Sequence, residues 1–155
     1  MSQARIARIR QVEKITDQRA TLGQEAVAAC QRQLDEQRAR LTQLTDYLAE
    51  YAAGIGFAPG GRSQVFALQN YRAFMEKIEQ TIAHQQQVVS QLEGELVARQ
   101  QEWREWRSQH RSVEKLRGRV EQHDQRDQER RAQQENDAHA LAHYRNPLDS
   151  ADSSH

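Results

Sequence analysis

One cysteine, two prolines and few aromatic residues are spread through 155 residues, and each shortage closes off a class of protein. With Cys30 alone no internal disulfide framework exists, which fits a reducing compartment, and the residue reads as a small apolar side chain on a helical seam rather than a reactive thiol. No run of about 18 apolar residues is present, so no membrane span is expected, and without an apolar segment behind the N-terminus no cleavable signal is expected either. A cytoplasmic protein is the resulting expectation. Neither sign of charge dominates, since 22 basic and 22 acidic residues are interspersed, so no electrostatic footprint for nucleic acid or an anionic membrane stands out. Apolar residues are also scarce: at 37% hydrophobic and a mean hydropathy of −0.99, a thick globular core is excluded and only a thin seam remains.

That seam is legible. From Leu68 to Val120 apolar residues recur at alternating spacings of three and four, with a positions at Leu68, Met75, Ile82, Val89, Leu96, Trp103 and His110. The d positions are Tyr71, Ile78, Gln85, Leu92, Arg99, Trp106, Val113 and Val120. A second helical stretch carries Ile6, Ala20, Val27, Leu34, Leu41 and Leu48 in one series, with Ile9, Thr16, Gly23, Cys30, Gln37, Leu44 and Tyr51 in the companion series. Its first half is poor, because Glu13, Thr16 and Gly23 bury little while Val12, Ile15 and Leu22 offer a displaced stripe, so drift of the register or fraying is expected there.

Between the two seams the chain reads GIGFAPGGRS over 54–63, where glycines and Pro59 end the helical pattern and Ser63 suits an N-cap. Two long helices joined by a short loop run antiparallel. The expected fold is therefore all-α: one antiparallel coiled-coil hairpin over 1–145, with helices at 4–53 and 65–144, a turn at 54–64, the second helix longer, and a disordered tail over 145–155. Centring the turn near Pro59 places Tyr51 opposite Asn70, Leu44 opposite Ile78, and the small Ala20 and Gly23 opposite the region of Arg99 to Trp103. The same pairing exhausts the first helix near residue 116. From Glu121 to Gln134 no apolar seam exists, which suits a solvated helix or a segment that orders on a partner, and Pro147 is expected to end the second helix.

Chemistry finds little footing in this pattern. Gly56, Gly61, Arg62 and Ser63 imitate a phosphate-binding loop with Arg in place of Lys, but a helix rather than a buried strand precedes them, so a plain turn is the reading. His139 and His143 share a helix face without further metal ligands nearby, and a two-helix hairpin offers no pocket for a nucleophile and base. No enzyme activity, cofactor or metal is expected. Trp103 and Trp106 read as seam residues. Tyr47 and Phe74 both occupy g positions and should lie on one side of the hairpin near its loop; with Leu44, Tyr51, Asn70, Tyr71 and Ile78 they form either an interaction patch or a shield for the seam. Glu129, Arg130 and Arg131 are either a solvated face or a docking site on an unpaired helix.

The order of these features resembles the FliJ family of the bacterial flagellar type III export apparatus. The resemblance is carried by Asp46-Tyr47-x-x-Glu50-Tyr51, the Gly-rich turn, Asn70-Tyr71-x-x-Phe74, Ile82 with its Gln-rich continuation, the Trp103 region with the basic residues after it, Glu114-Lys115-Leu116 and Glu129-Arg130-Arg131. It implies a stalk-like hairpin similar to the central subunit of rotary ATPases. Such a protein binds the hexameric export ATPase, promotes its ring assembly, connects it to the cytoplasmic domain of the export gate protein FlhA, and meets export chaperones. By the same resemblance Leu44, Tyr47, Tyr51, Phe74 and Ile78 would meet the gate, joined by Asn70 and Tyr71 of the same patch, whereas Arg40, Thr81 and Gln85 depart from the family at other gate positions. The ATPase would be met near the helix termini, at Ile6, Ile9 and Arg10 and at Glu129, Arg130 and Arg131, where Asn136-Asp137 departs from the family's acidic pair. The implied location is peripheral, at the cytoplasmic face of the inner membrane below the flagellum. A virulence injectisome stalk and a structural coiled coil dimerising through its second helix are the alternatives.

Overall fold

The computed structural model describes residues 2–54 and 63–152, with side chains over 3–53 and 65–145. Two helices account for them: α1, Ser2–Gly54, and α2, Ser63–Asp152. They pack against each other antiparallel as a helical hairpin, and α2 is the longer. Of the turn expected at 54–64, residues 55–62 lie outside the described residues, Gly56, Gly61 and Arg62 of the loop-like motif among them, while Gly54 and Ser63 belong to the helices. No helix among the described residues is long and apolar enough to cross a membrane.

The chain divides into two compact units, the first made of Met1–Gln18 with Arg107–His155 and the second of Arg19–Trp106. In the second unit the seam is apolar. Cys30, Leu34, Ile78, Ile82 and Val89 are buried, and Val27, Leu41, Leu44, Leu48, Met75, Leu92 and Leu96 are half-buried beside them. Removing such side chains from water is the main stabilising term, at about 1.5–3 kcal/mol for each large residue fully buried. Polar residues on the seam find partners across it: Gln85 Nε2 donates to Gln37 Oε1 at 2.7 Å and to the Gln37 carbonyl at 3.0 Å, and the Cys30 thiol points at the Leu92 carbonyl at 3.8 Å.

Pairing slips along this unit. Near its start Tyr51 faces Tyr71 and Gln37 faces Gln85, but Gly23 meets Trp103 and Arg19 meets Trp106, so α2 has advanced about one extra turn. The seam position expected at Arg99 is the casualty. Arg99 is exposed and paired with Glu102 at 3.5 Å, while Gln100 takes the half-buried place. A long cationic side chain is better solvated outside than held between two helices.

In the first unit the seam is polar. Ile9 is its buried apolar residue and Thr16 its buried polar one, with Ile6, Glu13, His110, Val113, Arg117 and Val120 half-buried. The displaced stripe does not take over: Val12 and Ile15 stay 48% and 46% exposed. Glu13 and Thr16 hold the original line because α2 supplies partners, Arg117 at 2.6 Å from Glu13 and His110 at 3.2 Å from Thr16. Pairing therefore continues past the expected limit near residue 116. Arg10 reaches Glu121 at 2.9 Å, and Gln3, Ile6 and Ala7 share a groove with Asp124 and Gln128.

Every residue of α2 from 129 to 145 is exposed. The segment without an apolar seam is nonetheless helical, with Arg130 paired to Asp127 at 2.6 Å and Gln128 donating to Asp124 at 3.4 Å. The helix also passes Pro147 and ends at Asp152, eight residues after the expected 144. A proline removes its own N–H bond and crowds the carbonyl four residues earlier, which weakens a helix without forbidding its continuation.

Candidate functional site

The four aromatic rings that face one another across the second unit form a single cluster. Tyr51 is its centre: it stacks on Tyr47 with ring centroids 6.3 Å apart and on Tyr71 at 5.6 Å, and it lies tilted against Phe74 at 4.6 Å. Tyr47 meets Phe74 edge-on at 6.3 Å. These are the separations at which aromatic pairs are favourable. The two g residues behave differently from the two seam residues. Tyr51 and Tyr71 are half-buried, whereas Tyr47 is 49% exposed and Phe74 36%. Beneath them Ile78 is buried and Leu44 half-buried, and Asn70 is exposed on the same stretch of α2.

The seven residues expected at the gate end thus play three parts. Ile78 and Leu44 support, Tyr51 and Tyr71 bridge the helices, and Tyr47, Phe74 and Asn70 present surface. Sequence reasoning overlooked Val65 and Phe66, exposed at 59% and 71% in the first turns of α2. Two adjacent apolar residues off the seam, just after a Gly-rich segment, were the available signal.

The residues expected at the ATPase end are less alike than their grouping suggests. Ile9 is 9% exposed and belongs to the seam, and Ile6 is half-buried beside it. Arg10 is exposed but engaged with Glu121, and Arg130 is engaged with Asp127, while Glu129 and Arg131 lie on the exposed part of α2. Around Arg10 an ionic chain alternates in sign across the helices: Arg10, Glu121, Arg117, Glu13. Arg117 Nε lies close to Glu13 Oε2 without hydrogen-bond alignment. Contact with Glu13, then its charge, pushes the guanidinium above its ordinary value against partial desolvation, with Glu121 adding to the rise. The Glu121 carboxyl is held below the ordinary carboxylate range, first by the hydrogen bond from Arg10 and then by the charges of Arg117 and Arg10, against desolvation. This chain of contacts was not legible in the sequence, because its two cross-helix pairs join residues about a hundred positions apart.

Among the described residues no group of three or more His, Cys, Asp or Glu is arranged to hold a metal ion. His139 and His143 are exposed. Long side chains paired over a narrow seam make an arrangement suited to contacts with other proteins rather than to enclosing a small molecule.

Fold and surface together define an all-helical coiled-coil hairpin that displays an aromatic cluster. The family model described as the flagellar FliJ protein matches residues 5–148. The chain belongs to that family and is a component of the flagellar export apparatus, in a family not known for enzymes. No individual curated protein matches the chain significantly. No solved structure does so either.

Proposed function

We propose that this chain is the stalk of the flagellar export machinery: it binds the hexameric export ATPase through the part that carries both helix ends, promotes assembly of the ATPase ring, and couples it to the cytoplasmic domain of FlhA through the aromatic cluster. Escort of export chaperones is the accompanying role, and the site of action is the cytoplasmic face of the membrane at the flagellar base. The observation that carries the gate assignment is the division of labour within the cluster. Tyr47 and Phe74 are not needed to fill the seam and remain exposed, as do Asn70 and Phe66, so this stretch offers apolar and polar contacts with little rotamer freedom to lose.

On the ATPase side Glu129 and Arg131 are the available groups, since Ile9 lies within the seam. A coiled coil suits this work because it can join two partners without a pocket or a cofactor. The test is calorimetric titration of the FlhA cytoplasmic domain with the full chain. Saturable binding that Tyr47→Ala weakens about tenfold supports the reading, and absence of binding with both proteins folded defeats it.

A further inference from the structure

Buried side chains are unequally shared along α1. Among the described residues, the buried apolar side chains Cys30 and Leu34 on α1 and Ile78, Ile82 and Val89 on α2 belong to the second unit, and Ile9 alone belongs to the first. Residues 2–17 of α1 are held instead by polar contacts: Arg10 with Glu121 at 2.9 Å, Glu13 with Arg117, Thr16 with His110 at 3.2 Å, and Asp17 with His110 at 3.8 Å. Glu114 faces the same His110 nitrogen from its own helix at 3.2 Å, and Arg117 also pairs with Glu121 at 3.2 Å.

Apolar burial and exposed ionic pairing respond differently to salt. The Debye length falls from about 8 Å at physiological ionic strength to about 3 Å at 1 M, so partly solvated pairs weaken while apolar packing does not. In the second unit the ion pair Arg38 with Glu93 at 3.1 Å joins the helices beside an apolar seam, and both side chains are about half exposed.

We propose that residues 2–17 of α1 form a polar clasp that opens from α2 locally, ahead of the second unit, and that its ionic contacts set how often it opens. Closed, the clasp buries Ile9 and half-buries Ile6. Opened, it uncovers both together with Val113 and Val120 of α2. The opening is a property of this chain and stands without the ATPase reading.

Hydrogen exchange of the full chain, read by mass spectrometry at constant pH and scaled to the intrinsic rates of an unstructured reference in the same buffer, tests this. Amides of 5–17 should exchange about tenfold or more faster than those of 24–51 at low salt. Raising NaCl to 1 M should widen that ratio about threefold or more, and Arg117→Gln should do the same at low salt, while Arg38→Gln should leave 5–17 unchanged. Ordinary fraying of a helix end predicts fast exchange that neither salt nor Arg117→Gln alters. That result, or equal protection along α1, overturns the clasp.

Discussion

Gly23 and Trp103 touch backbone to backbone: a Cβ placed on Gly23 would stand 3.2 Å from the Trp103 Cα and 3.3 Å from its Cβ. The large indole is accommodated because the facing residue has no side chain, and α2 gains its extra turn against α1 around this contact. Gly costs about 1 kcal/mol relative to Ala within a helix, so Gly23→Ala should change stability by less than about 1 kcal/mol, the helical gain offset by the tight contact. Gly23→Val has a branch that the Trp103 backbone cannot yield to, and it should lose about 1–3 kcal/mol in urea denaturation.

Tyr47 and Tyr51 should separate binding from folding. Tyr47→Ala removes an exposed ring, so thermal unfolding should hardly move while affinity for the FlhA domain falls by about 1–2 kcal/mol. Tyr51→Ala removes the ring on which Tyr47, Tyr71 and Phe74 rest, and should cost about 2–4 kcal/mol of stability. Unfolding midpoints beside titrations of the two variants decide the matter. Equal loss of stability in both would show that the cluster only shields the seam.

Gln37 and Gln85 make a polar layer inside an otherwise apolar seam. Gln85→Leu alone leaves the Gln37 amide with its partner removed and should destabilise by about 1 kcal/mol. Changing both to Leu should restore or raise the thermal midpoint, since a matched apolar layer needs no hydrogen bond. Failure of the double variant to recover would mean that the pair fixes the alignment of the helices.

Glu121 links stability to acid. Its carboxyl titrates lower in the folded chain than in the unfolded one, so its contribution is fully present above the unfolded value and is lost as the pH falls through the lowered folded value. A melting profile from pH 7 to pH 3 should fall more steeply for the native chain than for Glu121→Gln. Parallel profiles would contradict the pairing with Arg10.

Much of the fold was open to sequence reading because both series keep a heptad spacing along the helices. The seam of α1 lies on Ile6, Ile9, Ala20, Val27, Cys30, Leu34, Leu41 and Leu48, where the heptad places it. The juxtaposition of Tyr47 with Phe74 also followed, since facing g positions are fixed by an antiparallel pair. What escaped depended on contacts between distant residues. An unbroken heptad count along α2 placed Arg99 inside, and fixed pairing from the turn, which could not foresee the extra turn near Trp103, ended α1 too early on α2. Nor could composition show that Glu13 and Thr16 would keep the seam from Val12 and Ile15, because only Arg117 and His110 make them tolerable there. Ile9, which the resemblance implied at the ATPase, is covered by the hairpin itself.

The stalk reading is tested most directly by ATP hydrolysis of the cognate export ATPase titrated with this chain, with ring assembly followed by sizing in the same samples. The account predicts stimulated hydrolysis together with hexamer formation, both reduced when residues 129–152 are deleted. An active ATPase whose rate and assembly are untouched by the full chain would contradict it.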